Sequence, residues 1–236
     1  MRYANKIVLV TGARRGVGKL VVKHFLGEKA QVIGFSRHED EAAAMANYTA
    51  LVVDVGDPDS VIHGFEQVRK RFGRVDIVIN NAAVLTSQYS MIMPASAARE
   101  MLSTNILGTF LVSREAAKLM RKHKWGRIIN IGSMAASLEP IGDSVYAASK
   151  AAISSLANVM AKEFASLNIT CNTLGISGIG TDMLVPLPKG KINEVIAGLP
   201  LPRYAMPDDI FNVIDFFASE RSAYITAQTV FLGGVN

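Results

Sequence analysis

The 236-residue chain reads as an α/β protein with a doubly wound parallel sheet, and three observations predict it. First, short apolar runs (Val32 to Phe35, Leu51 to Val53, Val75 to Ile79 and Ile128 to Ile131) alternate with stretches of helical period. Runs that are apolar throughout suit strands buried on both faces, and their alternation with helices marks the crossovers of a parallel sheet. Second, the run Ile7 to Val10 leads directly into Thr11-Gly12-Ala13-Arg14-Arg15-Gly16-Val17-Gly18 and then a helical pattern through Leu26. Third, the length suits one large domain, and no linker, repeat or low-complexity tract divides it.

The elements follow in chain order. The first strand ends in a glycine turn, where small residues let the backbone approach a pyrophosphate and the helix that follows offers free N–H groups. Its spacing, Thr-Gly-x-x-x-Gly-x-Gly, departs from the commoner Gly-x-Gly-x-x-Gly. The second strand leads into Ser36-Arg37, and the third into Asp54-Val55. Arg69-Lys70-Arg71 closes a helical pattern, where cations favour the dipole. The fourth strand precedes Asn80-Asn81-Ala82-Ala83. The run from Arg127 to Ser133 places a hydroxyl at a strand's carboxyl end, where open α/β sheets bind their ligands.

A helical stretch from Tyr146 to Ala165 comes next, with apolar residues at Ile153, Leu156, Met160 and Phe164. Tyr146 and Lys150 lie one turn apart on a shared face. A phenol of reference pKa about 10 needs a nearby cation to exchange protons readily, and Lys150 is that cation. The plainer alternative is a Tyr and a Lys on a solvated face. Met183 to Met206, carrying four prolines and a short helix at Ile192 to Ala197, reads as a substrate lid before the helix start Pro207 to Ile210.

Together with Asn105-Ile106-Leu107-Gly108 and the closing Tyr224-Ile225-Thr226-Ala227-Gln228-Thr229, these motifs resemble the short-chain dehydrogenase/reductase family over nearly the whole chain. The resemblance is to its branch of about 250 residues, and the carboxyl-terminal third looks most like bacterial 3-oxoacyl-[acyl-carrier-protein] reductases. It implies a single Rossmann-type domain over 1–236, with a sheet of about seven strands and helices on both faces.

The resemblance also implies a nicotinamide cofactor and a set of roles. Tyr146 would give a proton to the substrate oxygen, Ser133 would hold that oxygen, and Lys150 would lower the tyrosine pKa and bind the nicotinamide ribose. Asn105 would anchor a water that relays protons to Lys150. Gly12, Arg14, Arg15, Gly16, Val17 and Gly18 would surround the pyrophosphate, with Arg14 otherwise a solvated neighbour. Asp54 and Val55 would meet the adenine, Asp54 alternatively capping a turn. Asn81, Ala82 and Val84 would line the adenosine side. Asn80 would either join them or tie adjacent strands. Ile179 and Thr181 would face the nicotinamide, Thr181 alternatively capping a helix. Substrate would meet Ser133, Leu138, Tyr146, Ile176 and Met183.

An NAD site presents an acid after its second strand, whereas a 2′-phosphate needs a cation there. Ser36 and Arg37 occupy that place, and Arg15 matches a position that is basic in NADP-preferring relatives, so NADP(H) is expected rather than NAD(H). Two departures from the family pattern are visible. Ile176-Ser177 stands where Pro-Gly is usual, with Gly178 and Gly180 suggesting extra backbone freedom nearby, and Ala83 replaces a common glycine. Glu139 would disfavour anionic substrates if it points inward.

Composition bounds the rest. The net charge is +5 and the pI about 9.3, but the basic residues are scattered, and neither Arg69-Lys70-Arg71 nor Arg121-Lys122-His123-Lys124 has interleaved aromatics for base stacking. No nucleic-acid partner is expected. Lys189, Lys191 and Arg203 are either solvated charges or contacts to an acidic carrier. The histidines lack metal-ligand spacing, so no metal is expected. One cysteine, Cys171, suits a reducing compartment. Met1 to Lys6 lack a signal-peptide core and no run reaches membrane-span length, so a cytoplasmic enzyme with no membrane partner is expected. By resemblance, it would be a homodimer or homotetramer, pairing through the Tyr146 helix, the helix around Ile106 to Met120, and a terminal strand at Tyr224 to Gly234.

The expected activity is reduction of a ketone, with a 3-oxoacyl thioester favoured over a polyketide-type or sugar-derived ketone or alcohol. The alternative class is a dinucleotide-binding regulator without catalysis, which loss of Tyr146 or Lys150 would have favoured. An epimerase or dehydratase of the extended branch would need a longer substrate domain and a differently spaced glycine turn.

Overall fold

A computed structural model describes residues 2–40, 45–179 and 189–235, with backbone alone at 189–192. Its strands are β1 (Ile7–Thr11), β2 (Gln31–Ser36), β3 (Tyr48–Val52), β4 (Ile77–Asn80), β5 (Gly126–Ser133), β6 (Ile169–Ile176) and β7 (Thr229–Phe231). All pair in parallel in one sheet of order β3-β2-β1-β4-β5-β6-β7, which is the doubly wound arrangement. The order reverses between β1 and β4, opening a crevice at the carboxyl edge.

Both faces of the sheet are covered, and successive strand residues serve opposite faces. Val8, Val10, Ile77, Ile79, Ile129 and Ile131 pack with Val21 and Phe25 of α1 (Gly16–Gly27) and Ile210, Ile214 and Phe217 of α8 (Pro207–Ala218). Leu9, Val78 and Ile128 pack on the other face with α2 (Pro58–Phe72), α4 (Gly108–Met120) and α6 (Ser144–Phe164). α2 starts on Pro58, its Asp57 side chain accepts a hydrogen bond from Asp59 N at 3.0 Å, and it stops at the left-handed Gly73.

Three sequence expectations shift. β3 starts at Tyr48, earlier than its apolar run, because backbone pairing with β2 begins at Val32↔Tyr48. The terminal strand spans Thr229–Phe231 alone, and Tyr224 is fully exposed. The helix before β5 begins at α3 (Ala95–Met101) and passes through a π-helical turn, Leu102–Leu107, into α4. Short α5 (Ala135–Leu138) follows β5, and α7 (Lys189–Ala197) contains the helix expected at 192–197.

Candidate active site

A cavity of about 900 Å³ occupies the carboxyl edge of the sheet, under the strand-order reversal. Gly12, Arg14, Arg15, Gly16 and Val17 border it after β1, Ser36 and Arg37 after β2, Asp54 and Val55 after β3, and Asn81, Ala82 and Val84 after β4. Ser133, Leu138, Tyr146, Lys150, Ile176 and Ile179 complete it on the other side. Thus nearly all the residues picked from sequence converge. Thr181 and Met183 lie outside the described residues, as does the start of the expected lid, 183–188.

The glycine turn is shaped by close approach. Gly12 has φ +65, and Gly16 φ +54. A Cβ on Gly18 would meet Gly12 O at 2.1 Å, so this glycine seats α1 against β1 from behind the cavity and does not line it. Arg15, the N-cap of α1, makes no side-chain cap, which leaves the first-turn N–H groups to an anion. Ser36 Oγ is buried with no hydrogen-bond partner. A glycine cradle, an uncapped helix start and an unpaired hydroxyl fit a dinucleotide.

Arg37 is already engaged: Nη1 lies 3.2 Å from Glu100 Oε1, with both side chains about half exposed. Asp54 does cap a turn, Oδ1 accepting from Gly56 N at 2.9 Å, while still bordering the cavity. Asn80 is strand-tying, donating to Asn130 Oδ1 and Ser113 Oγ at 2.8 Å each. Ala83 keeps a negative φ, as the change from glycine requires.

Tyr146 and Lys150 project from α6 toward the end of β5, and both are buried. Burial pushes the Tyr146 phenol up to about 12, a hydrogen bond with Ser133 opposes this, and the charge of Asp143 adds to it. The group that lowers the tyrosine is thus Ser133, where Lys150 was expected, and burial prevails over it. Lys150 itself is pushed down to about 8 by burial, and its Nζ donates to Ile131 O at 2.8 Å. Ser133 Oγ also accepts from Ala135 N at 3.2 Å, which orients it at the strand end.

Asn105 sits on the π-helical turn, fully buried, and does not line the cavity. Its Oδ1 accepts from Val84 N at 2.9 Å, and its Nδ2 donates to Val84 O and Ser149 Oγ at 3.0 Å each. Both amide hydrogens are committed, so the side chain pins the loop after β4 to α6 instead of offering a donor to water. Ile176 pairs with Ser133 in register and its carbonyl accepts from Met134 N at 2.9 Å. Gly178 does not use a positive φ; a Cβ there would meet Ile196 Cδ1 at 2.8 Å, so its small size admits α7.

Glu139 is exposed and lies off the main cavity, and the acid that borders the cavity on the Ser133 and Tyr146 side is Asp143, Asp54 and Glu100 lying on the nucleotide side. An aspartate just ahead of a helix reads as a cap, so sequence alone gives Asp143 no distinction. Glu100 was equally hidden, on a helical face with no spacing to mark it. Arg203 is held by Asp209 in a two-pronged pair at 2.6 and 2.9 Å, which drives the Asp209 carboxyl down to about 2. The basic residues before Gly73 and at 121–124 are helix-end charges, the latter four exposed. Cys171 is buried and free, its thiol pushed up to about 12 by burial. Among the described residues no cluster could hold a metal ion, and no helix is long and apolar enough to cross a membrane.

A doubly wound sheet with a glycine turn at its crevice and a Ser, Tyr and Lys beside it defines an oxidoreductase of the nicotinamide-dependent kind. The chain belongs to the short chain dehydrogenase family, whose model matches residues 6–191. It is 34% identical to the 3-oxoacyl-[acyl-carrier-protein] reductase of Escherichia coli over 99% of this chain and 98% of that one. With the Pseudomonas aeruginosa reductase of the same name it shares 31%, over 99% and 98%. Among solved structures it superposes on the aldohexose dehydrogenase of Thermoplasma acidophilum with a TM-score of 0.89 at 27% identity, covering 98% of this chain and 94% of that one. A putative gluconate dehydrogenase from Agrobacterium tumefaciens gives 0.90 at 25%, covering 98% and 95%.

Proposed function

We propose that the protein is an NADP(H)-dependent carbonyl reductase. The observation that carries this reading is the meeting of Ser133, Tyr146 and Lys150 at the carboxyl end of β5, inside a cavity whose other half fits a dinucleotide. When bound, the nicotinamide supplies the hydride that reduces the carbonyl carbon. Tyr146 Oη gives its proton to the carbonyl oxygen as charge gathers there. Ser133 Oγ holds the same oxygen, and its hydrogen bond with Tyr146 favours the phenolate that remains. Lys150, buried beside them, holds the ribose and replenishes the proton. Asn105 is a positioning residue that fixes Val84.

The choice of NADP(H) is supported by two cations near the buried Ser36 hydroxyl, Arg15 and Arg37. The Arg37–Glu100 pair is exposed and worth about 0–1 kcal/mol, so a 2′-phosphate can take Arg37 from it. A 3-oxoacyl thioester is the substrate suggested by the names of the curated relatives. A sugar-derived ketone or alcohol is the second reading, favoured by the two structural neighbours and by an acid in the cavity wall.

The segment 183–206 serves as the lid; within it Val195 of α7 borders the cavity, and Tyr204 OH ties back to Asn193 Oδ1 at 2.8 Å. We place the enzyme in the cytoplasm as a homo-oligomer with no nucleic-acid or membrane partner. The test is oxidation of NADPH, beside NADH, with a short 3-oxoacyl thioester and with hydroxylated ketones. Substrate-dependent turnover with NADPH well above NADH is expected. Tight NADPH binding with no turnover on any ketone would defeat the reductase reading in favour of a binding-only role.

A further inference from the structure

Asp143 is a carboxylate that the fold does not use. It immediately precedes α6, where an aspartate ordinarily accepts from first-turn amides, yet its side chain caps nothing. The residue is 9% exposed, and Oδ1 has no hydrogen-bond partner. Buried acceptors are nearly always satisfied, so one left open beside a reacting group calls for a donor from outside the fold.

Its surroundings place it. Asp143 borders the cavity together with Ser133 and Tyr146, and its charge acts on the Tyr146 phenol. The wall that carries it is fixed by two ties to the loop after β4: Gln88 N donates to Gly142 O at 2.8 Å, and Ser90 Oγ donates to Ser144 Oγ at 3.0 Å. Asp143 immediately precedes α6 and lies three residues ahead of Tyr146, so the two sit one turn apart on the part of the helix that borders the cavity.

We propose that Asp143 is a specificity-determining residue that accepts a hydrogen bond from a hydroxyl group adjacent to the substrate carbonyl. The substrate class is then α-hydroxyketones in reduction and vicinal diols in oxidation. A carboxylate can only accept, and a plain ketone offers it nothing. A 3-oxoacyl thioester brings a second carbonyl, another acceptor, toward the same wall. A neighbouring hydroxyl satisfies Asp143 while leaving the carbonyl oxygen to Ser133 and Tyr146. This assignment rests on reading the cavity as a carbonyl reductase site, and it selects the second of the two substrate readings.

The test compares acetoin with butanone, which differ by one hydroxyl, and with a short 3-oxoacyl thioester, in the wild-type protein and in Asp143→Leu and Asp143→Asn. A hydrogen bond to a charged group is worth roughly tenfold to a hundredfold in discrimination. The expected result is a kcat/KM for acetoin about tenfold or more above butanone, collapsing toward equality in Asp143→Leu and intermediate in Asp143→Asn, which keeps a carbonyl acceptor. NADPH binding, read by the fluorescence of the reduced nicotinamide itself, should match the wild type in both variants. A preference for acetoin that survives in Asp143→Leu, or a wild-type preference for the thioester or for butanone, overturns the proposal. Should no ketone turn over, the reductase reading fails separately. Acetoin and butanone binding to the NADPH-loaded protein then decides on Asp143, and affinity for acetoin unchanged in Asp143→Leu overturns it.

Discussion

The Tyr146 phenol answers to three neighbours: burial and the Asp143 charge hold the proton on, and the Ser133 hydroxyl favours its loss. Reduction uses the protonated phenol and oxidation the phenolate, so the pH dependence of alcohol oxidation reads this balance directly. Removing the Asp143 charge lowers the tyrosine pKa, and the limb of kcat/KM that rises with pH should move to lower pH in Asp143→Asn. A limb that stays in place or moves upward would contradict that assignment. Tyr146→Phe should lower kcat by about 10²–10⁴-fold, the usual reach of a general acid, with NADPH affinity kept; unchanged turnover would remove the residue from the chemistry. At the other end of the cavity, an Arg15→Ala, Arg37→Ala double variant should lose most of its preference for NADPH over NADH in a binding titration. An unaltered preference would mean that the 2′-phosphate is held elsewhere.

At the level of elements, the π-helical turn between α3 and α4 carries Asn105 to the loop after β4. Asn105→Ala would leave Val84 N and Val84 O without their partner and Ser149 Oγ with Tyr146 O alone, and a loss of about 2–4 kcal/mol in a denaturant titration is expected. A loss under about 0.5 kcal/mol would mean that the loop holds itself. This turn also marks where sequence ceases to inform. The strands announced themselves because they are apolar on both faces, and Ser133, Tyr146 and Lys150 were legible because strand end and helix face follow from period alone. A π turn leaves no mark in a periodicity, so Asn105 could be placed on a helix while its actual partners could not be named. Asp143 and Glu100 were missed for a related reason: their importance lies in which distant group they face, and neither has a local signature. β7 was overextended because the resemblance marks Tyr224 to Gly234 as one unit, whereas the sheet pairs three of its residues, from Thr229.

For the whole molecule, the π turn exposes Leu107, α4 exposes Phe110 and α6 exposes Val159, on the helices that relatives were expected to use for pairing. A Phe110→Glu, Val159→Glu double variant should shift the solution mass from an oligomer toward the monomer while keeping its helical content, as read by light scattering and circular dichroism. A wild-type protein that is monomeric at micromolar concentration would refute the pairing. The strand order carries a different consequence, one of timing. After β4, every new strand joins the sheet on the same side, at the edge left by its predecessor. A chain leaving the ribosome therefore builds outward from β1, and the walls formed by Gly12, Ser36, Asp54 and Asn81 exist before α6 has been synthesised. The nucleotide-sized half of the cavity can be assembled, and offered to a ligand, while the half that does the chemistry is still being made.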